Sequence, residues 1–134
     1  MTQSRSQSLR TDERAAAIVR RLDDAVRRSG PAGASVTGLC AAGKVPRRTL
    51  NRAFQYVVGM GPATYLRRVR LNRARRALQR ERSHMSTVKN VALELGFGHL
   101  GRFAEQCRKL FGESPHETLR RTNRAIGKAR ALRD

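Results

Sequence analysis

Gly96-Phe97-Gly98-His99-Leu100-Gly101-Arg102-Phe103 is the stretch whose reading decides the fold. It reads as the end of one short helix, a tight turn at glycine, and the first turn of a second helix. A weaker echo runs from Gly43 to Leu50. Sliding the chain against itself by 53 positions lays Gly43 on Gly96, Leu50 on Phe103, Gly59 on Gly112, Pro62 on Pro115 and Leu66 on Leu119. Five matches at one offset, all at turn-type or core-type residues, indicate a duplicated helix-turn-helix.

Working outward from the second copy, Ser86 or Thr87 can cap a helix with Val88, Val91, Ala92 and Leu95 at helical spacing, stopped by Gly96 in a left-handed conformation. His99 to Phe111 forms the partner helix, with Phe103, Cys107 and Leu110 inward. Ser114-Pro115 opens a last short helix carrying Leu119, followed by a basic tail over 122–134. In the first copy, Ser35 caps a short helix carrying Val36, Leu39 and Cys40, and a second helix runs from about Pro46 to Val58. Leu50, Ala53, Phe54 and Val57 point inward there. Stepping 100° per residue puts Arg48, Asn51, Arg52 and Gln55 on the opposite side. Upstream, Ala15, Ile18, Val19, Leu22 and Val26 mark one face of a helix from about Thr11, ended at Ser29-Gly30-Pro31. Residues 1–11 are Ser-, Gln- and Arg-rich with almost nothing to bury, which predicts a disordered start.

Between the copies, Pro62 to Gln79 reads as one densely basic helix with Arg67, Arg68, Arg70, Arg73, Arg75 and Arg76. At about 1.5 Å per residue it is nearly 30 Å long, close to the spacing of about 34 Å between major-groove sites on one face of DNA. The expected architecture is all-α: a helix-turn-helix subdomain over 12–61, a linker helix over 62–80 and a second subdomain over 81–121.

The chain has 29 Lys and Arg against 10 acids, a net charge of +19 on 134 residues. So large an excess implies a polyanionic partner. Only four of the 29 are lysines; guanidinium groups suit bidentate contacts to phosphate and guanine, although genomic base composition produces the same bias. No apolar run is long enough to cross a bilayer and Met1 to Arg10 is polar, so a cytoplasmic, nucleoid-associated location is expected. Cys40 and Cys107 are isolated at core-type positions and read as buried thiols in a reducing compartment. His84, His99 and His116 show no ligand spacing. No carboxylate pair or nucleophile–base set stands out, and Gly96-Phe97-Gly98 lacks the strand that a phosphate loop needs. No catalytic residue, metal or cofactor is expected.

With these residues placed, the chain resembles the DNA-binding domain of the AraC/XylS family of bacterial transcription activators, over about residues 12–121. The resemblance rests on Pro46-Arg47-Arg48-Thr49-Leu50-Asn51-Arg52-Ala53-Phe54, on Gly59-Met60-Gly61-Pro62-Ala63-Thr64-Tyr65-Leu66, on Arg70-Leu71 with Ala74 and Leu78, and on Val91 through Gly96-Phe97 to Phe111-Gly112-Glu113-Ser114-Pro115. Its Gly98-to-Phe103 turn is similar to that of the branch containing the ethanolamine-operon regulator. The resemblance implies about seven helices in a homeodomain-like arrangement, binding to two successive major grooves of double-stranded DNA, and activation, with RNA polymerase as a further candidate partner. It places base contacts at Arg48, Asn51 and Arg52, the outer face already found by stepping along the helix, with Arg47 and Gln55 alongside. In the second unit the equivalent slots hold Leu100, Gly101 and Glu105, flanked by His99 and Arg102. Against the family pattern, Lys44 stands where the first turn has glycine, Pro46 replaces a serine cap, Glu105 replaces a basic residue and Cys107 replaces a large aromatic.

Two functions compete. A sequence-specific regulator follows from the repeat, the linker and the outward Arg48, Asn51 and Arg52. A non-specific architectural binder follows from the charge and the weaker second reading surface. Membrane-surface binding fits less well, because Asp23 and Asp24 interrupt the basic face of the first helix. Nothing before Thr11 could form a small-molecule effector domain. A stand-alone unit and an inactive fragment of a longer regulator both fit.

Overall fold

The computed structural model describes residues 2–30, 35–80 and 88–133. The described residues form seven helices: α1 (Thr2–Ser29), α2 (Val36–Gly43), α3 (Arg47–Val57), α4 (Pro62–Gln79), α5 (Val88–Glu94), α6 (Leu100–Phe111) and α7 (Pro115–Arg133). They fall into two compact units, one up to Arg68 and the other from Val69 onward, with α4 contributing to both.

In the first unit α1 lies chiefly on α3. Val19, Leu22 and Val26 of α1 are buried, as are Leu39, Leu50, Ala53 and Phe54. Burying a side chain of this size contributes roughly 1.5–3 kcal/mol. Ser35 caps α2 by accepting from the Gly38 amide at 3.0 Å. The start of α4 is fixed by Tyr65, whose ring packs on Phe54 at 5.3 Å between centroids and whose hydroxyl donates to Asp23. Asp23 also pairs with Arg27 at 3.1 Å. Burial, then the bond to Asp23, pushes the Tyr65 phenol up to about 12.

The second unit is built on Leu71, Ala74, Leu78, Val88, Val91, Ala92, Phe103 and Cys107. Phe97 stacks on Phe103 at 4.6 Å. Cys107, in the register of Phe54, is buried, and burial pushes its thiol up to about 11, so it acts as a small apolar residue. Cys40 is only half-buried, unlike the expectation for both thiols.

The two turns use the same hydrogen bonds but differ in length. After α2 the left-handed residue is Lys44 (φ 50°), with Val45 N–H donating to Cys40 O at 3.0 Å. After α5 it is Gly96 (φ 83°), with Phe97 N–H donating to Ala92 O at 2.8 Å. Lys44 and Gly96 are 52 positions apart, whereas α3 and α6 begin 53 apart at Arg47 and Leu100. Val36, Leu39 and Cys40 accordingly fall on Val88, Val91 and Ala92 at 52. The second turn has one extra residue, and the match of Gly43 with Gly96 at 53 does not pair equivalent backbone positions.

Three expectations about extent are corrected. The start read as disordered over 1–11 is helical from Thr2: Gln, Arg and Leu are fair helix formers, and Thr11 sits inside α1, its hydroxyl donating to Gln7 O at 2.8 Å. The last helix is not short; α7 runs through the basic tail to Arg133. Val57, expected inward, is 43% exposed on the last turn of α3. The Ser86 or Thr87 cap and His84 lie outside the described residues.

Candidate nucleic-acid interface

In the first unit, buried Leu50, Ala53 and Phe54 hold one side of α3 against the core. That leaves Arg47, Arg48, Asn51, Arg52 and Gln55 exposed. Pro46 precedes α3 with φ −60° and offers no side-chain cap. Arg52 lies at the edge of this face, beside a shallow groove of about 410 Å³ between α1 and α3 lined by Thr11, Arg14, Ala15, Ile18, Ala53 and Tyr56. The Asp12 carboxylate beside it raises the pKa of the Tyr56 phenol. The Tyr65–Asp23 bond ties α1 to α4, and α1 packs on α3 behind this face.

In the second unit, Phe103 and Cys107 are buried and His99, Leu100, Gly101, Arg102 and Glu105 are exposed. His99 occupies the N-cap of α6 without a side-chain bond. Glu105 pairs with Lys109 at 3.7 Å, four residues on. An exposed pair of this kind contributes little, so Glu105 is free to reorient. Gly101 has open space around its missing side chain. The face is thus thinner than that of α3 at the slots named from sequence. Sequence reasoning passed over Arg108, exposed on α6 and 53 positions after Gln55. The same offset that paired the helices would have found it.

The end of α6 is fixed by a buried carboxylate. Glu113 is 7% exposed; it accepts from Thr118 Oγ1 at 2.8 Å and pairs with Arg121 at 2.8 Å and Arg75 at 3.5 Å. The Arg75 guanidinium also lies 4.7 Å from the centre of the Phe111 ring. Ser114 and Glu117 bond reciprocally, Glu117 N–H to Ser114 Oγ at 3.2 Å and Ser114 N–H to Glu117 Oε2 at 3.3 Å, a capping box that starts α7. Among the described residues, no group of three His, Cys, Asp or Glu side chains could hold a metal, and no helix is long and apolar enough to cross a membrane.

The exposed polar side chains on α3 and at the start of α6, each following a tight turn, can contact phosphates and base edges. Residues 39–121 match the helix-turn-helix domain family. The XylDLEGF operon transcriptional activator of Pseudomonas putida is 37% identical over 79 residues, 59% of this chain and 25% of that protein. XylDLEGF operon transcriptional activator 2 of the same organism is 34% identical over 102 residues, 76% of this chain and 62% of that one. The chain therefore spans about a quarter of the first relative and less than two thirds of the second. The crystal structure of a probable AraC family transcriptional regulator from Rhodopseudomonas palustris CGA009 superimposes with a TM-score of 0.71 at 33% identity, covering 79% of this chain and 97% of that one. A transcriptional regulator from Chromobacterium violaceum with an AraC-type DNA-binding domain shares the fold, with a TM-score of 0.72 at 24% identity. The chain belongs to the AraC/XylS family of DNA-binding transcription regulators, whose helix-turn-helix domains bind double-stranded DNA.

Proposed function

We propose that the chain is the sequence-reading part of a transcription activator, with α3 and α6 entering two successive major grooves. The observation that carries this is the exposed set Arg48, Asn51, Arg52 and Gln55 on α3, backed by buried Leu50, Ala53 and Phe54. Arg48 and Arg52 suit guanine O6 and N7, and Asn51 suits adenine N6 and N7. Arg47, His99, Leu100, Gly101, Arg102 and Glu105 complete the surface, Glu105 as an acceptor from cytosine N4. The functional division is 12–61, 62–80 and 81–121, with α4 as the spacer. Activation and contact with RNA polymerase in the bacterial cytoplasm are proposed by analogy with relatives named transcriptional activators.

Selection from a random duplex pool at about 150 mM salt tests the reading, at an ionic strength where non-specific attraction is screened. The expected product is an asymmetric motif with two half-sites about one helical turn apart. Tight binding without enrichment would instead favour the architectural reading, which the sparse chemistry of Leu100, Gly101 and Glu105 supports.

A further inference from the structure

Helix α7 runs on past the residues that hold it. Its buried positions are Pro115 and Thr118, and Leu119 packs against the core of the second unit. From there to Arg133 it carries Arg120, Arg121, Arg124, Lys128, Arg130 and Arg133, and residues 118–133 include no Asp or Glu. At 100° per residue, Arg120, Arg124 and Lys128 form one stripe with Arg121 beside it. All four are exposed. Like charges four residues apart repel, so the stripe opposes the helix that carries it until a polyanion lies along it. The nearest acids do not neutralise it. Glu113 already carries two guanidiniums, Arg75 and Arg121, and Glu117 is engaged in the cap of its own helix. Arg120 and Arg124 reach the rim of a cleft of about 350 Å³ that also takes in Arg75 and Arg121, so its cations outnumber its acids.

We propose that the Arg120–Arg124–Lys128 face of α7 is a phosphate clamp, a sequence-independent surface that grips the DNA backbone beside the bases read by α3 and α6. The stripe is about 12 Å long, eight residues at 1.5 Å each. Phosphates on one strand are spaced about 3.4 Å along the duplex axis, so three of them lie within its reach. A membrane surface fits this helix less well, because its opposite face offers Thr122, Ala125, Ile126 and Ala129 with no aromatic residue to seat at the interface.

The clamp rests on the DNA-reading function, and its test separates the two. The triple variant Arg120→Gln/Arg124→Gln/Lys128→Gln keeps good helix formers at each position. Its binding to the selected duplex and to a scrambled duplex is measured by fluorescence anisotropy across a salt series. The expected result is an equal loss on both duplexes, with the slope of log K against log salt falling by about 2–3, near 0.9 per lost contact. Arg124→Gln alone lowers it by about 1. A slope within about 0.5 of the parent, or a loss confined to the selected duplex, overturns the clamp. So does a triple variant that loses binding only to anionic vesicles. If the parent protein shows no preference between duplexes while the slope still falls, the sequence-reading proposal fails and the clamp stands. Far-UV circular dichroism of the triple variant is expected to match the parent, so that the loss is read as charge.

Discussion

The first unit has a strained turn and a chemically rich exposed face on α3; the second has a relaxed turn and a sparser face on α6. Lys44 holds φ 50° where Gly96 holds φ 83°, and a side chain in the left-handed region costs roughly 1–2 kcal/mol that glycine does not incur. Beyond those turns, α3 exposes Arg47, Arg48, Asn51, Arg52 and Gln55, whereas α6 exposes Leu100, Gly101, Arg102 and Glu105, with Arg108 further along. The cores differ in the same sense. Phe54 fills the position that Cys107 occupies in the second unit, where Phe97 on Phe103 supplies the aromatic bulk instead. The two copies keep the same turn hydrogen bonds while sharing few of the side chains around them.

The largest test of that contrast is in the core. Phe103 is fully buried, and Phe103→Ala is expected to cost about 3–5 kcal/mol in urea denaturation. Cys107→Phe, which puts the first unit's residue into the second, is expected to destabilise by about 1–3 kcal/mol through overpacking. A gain in stability would mean that the two cores are interchangeable after all. Next come the exposed faces of α3 and α6. Arg48→Ala is expected to weaken the selected duplex by roughly 1–3 kcal/mol more than a scrambled one. Gly101→Ala is expected to leave that preference unchanged while stabilising α6 by up to about 1 kcal/mol. A preference lost equally through both variants would erase the asymmetry between the units.

The turns give smaller effects of opposite sign. Lys44→Gly is expected to stabilise by about 0.5–1 kcal/mol, and Gly96→Ala to destabilise by about 1 kcal/mol. The mildest difference lies in alkali. Both Tyr65 and Cys107 have folded pKa values above their ordinary ones, so each contributes stability that is intact below its ordinary value and is lost as pH rises through the folded one. For Cys107 that window runs from 9.0 to about 11, and for Tyr65 from 10.0 to about 12. Stability followed against pH is expected to decline first through Cys107. Cys107→Ala removes the earlier limb and Tyr65→Phe the later one.

The repeat, the glycine stop at Gly96, the cap at Ser35 and the helix start at Pro62 were all legible, because each follows from a residue type with a strong local preference. The outward face of α3 was legible from periodicity alone. Three features were not. Residues 2–10 carry no apolar stripe, so nothing in the pattern distinguishes a helix continued by backbone hydrogen bonds from a disordered start. The same holds for the far end of α7. Glu113 gathers Arg75, Thr118 and Arg121 across 46 positions of sequence, a convergence that spacing along the chain does not express. Arg108 lay within reach of the 53-residue offset, but the family's slots drew attention to the first turn of α6.

The extra residue between Gly96 and Leu100 limits how the two halves can be exchanged. A graft that cuts at the left-handed residues Lys44 and Gly96 would carry the second unit's longer connection into the first, so that the transplanted helix begins four residues after the cut instead of three. Chimeras of these domains are therefore better joined at Arg47 and Leu100, the first residues of α3 and α6, so that one helix travels without the other unit's turn.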